Sequence, residues 1–277
     1  MSVSQGIASS PTIKRMAAGR MIRTIGYWFF TILIAWEMAL GAYWDLFQIS
    51  YVREVFTHLH LPSYFLIIMG IWKLPCAVIL LMPRAVRMKE WAYAGAFFTY
   101  SGAAVLHLSV GDGLSGWAGP MLYALFTIAS WLLRPRSRRL AATAVPIVGK
   151  PSKSRLTLYW IATGLMSFVL ISGGIAELSN SKTTIEGMLS LGYPVYFTHL
   201  LGFWKIAGGI VLLAPRLSLV KEWAYIGIFL DMTGAFMTHI VCHSVAYHLV
   251  FTGLFSVLTI LSWALRPPTR KIAGPIF

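Results

Sequence analysis

Four ionisable side chains fall inside apolar stretches of this sequence: Glu37, Lys73, Lys205 and Asp231. A charge at bilayer depth is costly unless another group answers it or water reaches it, so such residues mark either structural ion pairs or the walls of a ligand chamber. Lys73 and Lys205 lie about nine residues from the outer ends of their stretches, ~13 Å deep at the helical rise, and the two acids reach a similar depth. The expected pairs are Glu37 with Lys73 and Asp231 with Lys205. Nearer the outer surface, Asp45 and Glu177 hold matching places, and His107 and His239 lie one turn from the outer ends of their stretches. The densest titratable group is His239, His243 and His248, an i, i+4 pair followed by a third imidazole that could ligate a metal or haem. No His-Glu-x-x-His pattern accompanies it, and interfacial histidines commonly bond loop carbonyls, so metal or haem ligation is the lesser expectation.

The elements that position these residues follow from hydropathy. With 57% hydrophobic and 12% charged residues in 277, the chain has too little polar surface for a water-soluble domain of its size. Apolar runs recur at residues 27–46, 64–82, 91–110, 117–134, 159–178, 196–214, 223–242 and 247–265. Each is long enough to cross ~30 Å of hydrocarbon as a helix, and unpaired amides are too costly in lipid for anything but helices or closed barrels. The predicted fold is therefore all-α integral membrane, with eight transmembrane helices in two parallel four-helix bundles.

The net charge of +14 is topological rather than a nucleic-acid footprint. Lys and Arg cluster in alternate connections: the first 26 residues, the turns at Arg84–Lys89 and Arg216–Lys221, the stretch 136–158, and residues 268–277. Only Arg53 and Lys182 lie in the opposite loops, so the positive-inside rule puts both termini in the cytoplasm, in a bacterial inner membrane. Residues 1–26 read as a disordered or interfacial tail, and the basic tails are expected to meet anionic lipid. Cys76 and Cys242 form no motif and are expected as buried free thiols. Trp and Tyr near the cytoplasmic ends of the runs, among them Trp91, Trp131, Trp223 and Trp263, read as an interfacial belt. Glu90 and Glu222 are expected to meet Arg84 and Arg216.

Residues 27–135 align with 159–267 without a gap at an offset of 132, an internal duplication. Pro83-Arg84 and Lys89-Glu90-Trp91-Ala92-Tyr93 match Pro215-Arg216 and Lys221-Glu222-Trp223-Ala224-Tyr225. Gly70-x-Trp72-Lys73 matches Gly202-x-Trp204-Lys205, and Trp131-x-Leu133-Arg134-Pro135 matches Trp263-x-Leu265-Arg266-Pro267. On these residues each half resembles the DoxX-like family of small four-helix membrane proteins. The first half keeps that family's His107 and Gly111-Asp112, whereas the second has His239 followed by His243-Ser244. The resemblance implies a membrane subunit of a redox or respiratory assembly, with a quinone-like ligand in the outer half of the bundle near Glu37, Asp45, Lys73, His107, Glu177, Lys205, Asp231 and His239. The alternative is a non-catalytic scaffold whose helices hold partner proteins, pigments or lipids.

Overall fold

The computed structural model describes residues 11–140 and 151–272, and side chains from Arg15 onward. Among them are ten α-helices and no strand. The first half has α1 (Pro11–Phe47), the short α2 (Ser50–His58), α3 (Tyr64–Leu81), α4 (Val86–Ser109) and α5 (Leu114–Leu133). The second repeats the order with α6 (Lys153–Leu178), the short α7 (Lys182–Ser190), α8 (Val195–Leu213), α9 (Ser218–Val241) and α10 (Ala246–Leu265). A 3₁₀ turn follows each half, at Arg136–Arg138 and Pro268–Arg270. The end where α1 and α6 begin and α5 and α10 finish is the basic end; α2 and α7 lie at the far end.

Within each half the four long helices pack in a ring. In the first, α1 packs against α3 and α5, and α4 closes the ring against the same two; α6, α8, α9 and α10 do likewise. The halves meet chiefly along α4 and α9, with α3 against α9 and α4 against α8 at the flanks. Duplication extends to backbone conformation. Every non-glycine residue with positive φ has a partner in the other half with positive φ: Gln48 with Asn180, Arg84 with Arg216, His60 with Gly192, and His243 with Gly111.

Among the described residues seven helices are long and apolar enough to cross a membrane; α4 is not one of them, although its equivalent α9 is. The two helices differ in apolar bulk: α4 has Ala94, Ala96, Tyr100 and Ser109 where α9 has Ile226, Ile228, Met232 and Val241. The tail expected to be disordered or interfacial is helical from Pro11, and residues 1–10 lie outside the described residues. Arg23 fastens that extension by donating from Nη2 to the Leu132 carbonyl at 2.9 Å and from Nε to the Leu133 carbonyl at 3.3 Å. Its equivalent Arg155 reaches the Ala264 carbonyl at 3.3 Å. Of the stretch 136–158, residues 141–150 also lie outside the described residues.

The motif shared by the halves builds the basic end. Lys89 is fully buried, and its ammonium donates to the carbonyls of Ile79 at 2.7 Å, Leu80 at 3.2 Å and Met82, closing the C-terminus of α3 where carbonyls have no helical partner. Lys221 closes α8 in the same way through Val211 and Ala214. Glu90 and Glu222 do not pair with Arg84 and Arg216, as the sequence suggested. They pair with Arg134 and Arg266, each at 2.8 Å, because the helices carrying those arginines end directly beside them. Four tryptophans of the expected belt also bond these carboxylates. Trp131 donates to Glu90 and Trp263 to Glu222, both at 2.8 Å, while Trp91 crosses to Glu222 of the other half at 3.1 Å and Trp223 crosses to Glu90 at 3.4 Å.

Small residues admit large partners at the seam between halves. A Cβ on Gly234 would stand 2.5 Å from the Trp72 ring, and one on Gly227 would stand 3.0 Å from Phe98. Between α6 and α8 the backbones themselves touch, since a Cβ on Gly174 would lie 2.7 Å from the Gly202 carbonyl oxygen. Cys76 and Cys242 are free thiols; Cys76 is buried and Cys242 partly so.

Candidate functional site

One face of α1 carries Glu37, Gly41 and Asp45, each a turn from the next. Lys73 of α3 lies over the bare backbone of Gly41, where a Cβ would be 3.3 Å from both the Lys73 ammonium and Glu37 Oε1. Its ammonium binds Asp45 Oδ2 at 2.7 Å, with the two side chains 15% and 4% exposed. The expected Glu37 and Lys73 ion pair is therefore overturned: Lys73 takes the acid two turns further out. Counting helical rise placed the Cα atoms correctly but ignored the reach of four methylenes, which carry the charge toward the wetter end.

Glu37 instead accepts a short hydrogen bond from the Tyr100 hydroxyl of α4. Tyr100 stacks on Tyr123 of α5, with ring centroids 5.2 Å apart. Sequence reasoning missed this pair of phenols. The signal was there: the second half puts Val169, Met232 and Phe255 where the first has Glu37, Tyr100 and Tyr123, so the acid and its phenols are lost together.

In the second half Lys205 of α8 forms a short ion pair with Glu177 of α6 and lies 3.9 Å from Asp231 Oδ2 of α9. The expected Asp231 and Lys205 contact is present, as the longer of two. Glu177 is buried, and its Oε2 has no hydrogen-bond partner. Each cluster thus holds one lysine and two carboxylates, with the second acid supplied from α1 in one and α9 in the other.

At the far end a single carboxylate holds two imidazoles. Asp112 Oδ1 meets His58 Nε2 of α2 at 2.7 Å, and Oδ2 meets His107 Nδ1 of α4 at 2.6 Å. These bonds, that from His107 foremost, hold the Asp112 carboxyl below the usual carboxylate range. The second half cannot repeat the clamp, since Ser244 replaces the acid and hydrogen-bonds His239 Nδ1 at 2.9 Å. His239 and His248 do come together, but as stacked rings 4.6 Å apart and 11° from parallel. His243 sits at the loop position with φ of 49°. Among the described residues no group of three His, Cys, Asp or Glu side chains is arranged to hold a metal ion.

This geometry can hold protons and orient polar atoms. Each cluster offers an ammonium donor and carboxylates, and the first adds phenolic hydroxyls, all largely buried between the helices. Comparison with known proteins agrees with the duplicated architecture: the family described as DoxX-like matches residues 29–130 and again residues 161–262. No curated protein and no solved structure matches the chain.

Proposed function

Since the chain belongs to the DoxX-like family twice over, once in each half, we propose that it is an integral membrane subunit of a redox assembly that binds a quinone-like lipophilic ligand in the outer half of its bundle. The observation that carries this reading is the layering in the first half, where Lys73 with Asp45 and Tyr100 with Glu37 stand two turns apart along α1. Reducing a quinone to a quinol consumes two electrons and two protons, so its site needs groups that donate to the carbonyl oxygens and others that resupply them. Lys73 and Tyr100 are donors of that kind, Glu37 and Asp45 are the reservoirs behind them, and the electrons come from a partner redox protein. In this reading α4 spans the membrane like its equivalent α9, which makes eight spans. The basic end faces the cytoplasm of a bacterial inner membrane, an orientation that the distribution of Lys and Arg supports.

A second reading is favoured by the basic end: an accessory subunit without chemistry of its own, holding membrane protein partners. Glu90 and Glu222 are fully committed to internal contacts, which suits a rigid frame. Purification in mild detergent followed by solvent extraction separates the two. Ligand binding predicts a quinone in the extract of the native protein and its loss from Tyr100→Phe and from the double variant Lys73→Met with Asp45→Asn, which strands neither charge. Extracts free of quinone, with partner proteins retained by native protein and variants alike, refute it in favour of the frame.

A further inference from the structure

The basic end holds more cationic charge than its carboxylates answer. In the second half Lys221 is fully buried, and Arg270 donates to the carbonyls of Leu212 at 3.0 Å and Leu213 at 3.2 Å and to the Tyr159 hydroxyl at 3.4 Å. Among the described residues neither has a carboxylate within 4.0 Å, and Glu222 is spent on Arg266. The Arg266 guanidinium, 1% exposed, still keeps Nη1 buried without an acceptor. Helix carbonyls screen these charges, but three cations face a single carboxylate, so an anion approaching this end is attracted.

A cavity of about 290 Å³ opens beside them, between the start of α6 and the turn after α10. Its walls are Leu156, Trp160, Pro267 and Pro268, and its polar edge is Thr269 and Arg270. The Arg270 guanidinium lies 4.5 Å above the Trp160 ring, which fixes its direction. Leu156 and Trp160 are 37% and 42% exposed on the outward side, so the apolar wall is continuous with the surface that lipid covers. A tryptophan beside an arginine at the end of a membrane helix sits at headgroup depth. Free phosphate would meet the polar edge and leave the apolar wall wet; a phosphate that carries acyl chains meets both.

We infer that this cavity is a headgroup site for an anionic phospholipid, with the phosphate at Arg270 and Thr269 and the start of an acyl chain against Trp160 and Leu156. The orientation proposed above places this site in the cytoplasmic leaflet, and the site stands or falls separately from quinone binding. The test is native mass spectrometry of the full chain released from detergent containing equal phosphatidylglycerol and phosphatidylcholine. Wild type is expected to retain phosphatidylglycerol preferentially. Thr269→Glu, which puts a carboxylate at the polar edge without touching the helix caps, is expected to reduce that retention about fivefold while thermal unfolding is unchanged. Arg270→Gln lowers retention as well, but it also uncaps α8, so Thr269→Glu decides. Equal retention of the two lipids by wild type, or equal phosphatidylglycerol retention by wild type and Thr269→Glu, overturns the proposal. Displacement of the lipid by inorganic phosphate alone also overturns it and assigns the site to a free anion.

Discussion

Lys73 and Asp45 provide a direct measurement of how the interior carries charge. Their side chains are 15% and 4% exposed at a separation of 2.7 Å, so removing either partner strands a buried charge. Lys73→Met keeps the length and apolar bulk of the stem while leaving Asp45 unanswered, and the expected loss is about 3–5 kcal/mol. Glu37 does not compensate, because it is another acid and is held by Tyr100. Asp45→Asn leaves the Lys73 ammonium with a neutral acceptor and is expected to cost about as much. The double variant Lys73→Met with Asp45→Asn strands neither charge and is expected within about 1 kcal/mol of wild type, giving a coupling of several kcal/mol. Denaturant titration in mixed micelles, followed by tryptophan fluorescence and circular dichroism, reads all four proteins. Additive costs in the double variant would refute the reasoning, since two groups whose losses simply sum are not answering one another in a poorly solvated interior.

Three further outcomes follow from the geometry. Arg266→Met leaves Glu222, 0% exposed, without its cation and is expected to cost about 3–5 kcal/mol in the same assay, whereas Trp91→Phe removes one indole bond from that carboxylate and is expected to cost about 1.5–3 kcal/mol. Gly234→Leu drives its side chain into the Trp72 ring and is expected to cost at least about 1–3 kcal/mol; Gly119→Leu, with open space around it, is expected to be neutral on the same unfolding curve. Asp112 has a folded pKa below its unfolded one, so its contribution is complete above the ordinary carboxylate range and disappears as pH falls through the depressed folded value. Hydrogen exchange across α2 is expected to rise in that acid window in wild type and to be already raised at neutral pH in Asp112→Asn.

The architecture was legible because lipid makes sequence pattern unambiguous. Apolar runs of bilayer length, an alternation of basic loops and a gapless repeat each constrain the answer, and the shared Lys-Glu-Trp-Ala-Tyr segment announced a common structure in both halves. Partner choice was harder to read. Depth along a helix follows from counting, but the lysine at position 73 could reach acids at 37 or 45, and only packing of α3 over Gly41 decides between them. Trp91 occupied a position that suits headgroups, and what gives its indole a carboxylate is the approach of α9 to α4, a contact between segments more than a hundred residues apart. The phenols behind Glu37 could have been found by comparing the halves for joint losses.

The crossing of Trp91 to Glu222 and of Trp223 to Glu90 is reciprocal: each half gives the other what it receives. That is the logic of an isologous contact in a symmetric dimer, self-complementary by construction. A lone four-helix unit with this seam would find its complement in a second copy of itself. Fusion into one polypeptide fixes the stoichiometry and removes the requirement that both copies be alike, which leaves one copy free to keep a glutamate and tyrosines in its interior while the other adopts an aspartate from a different helix.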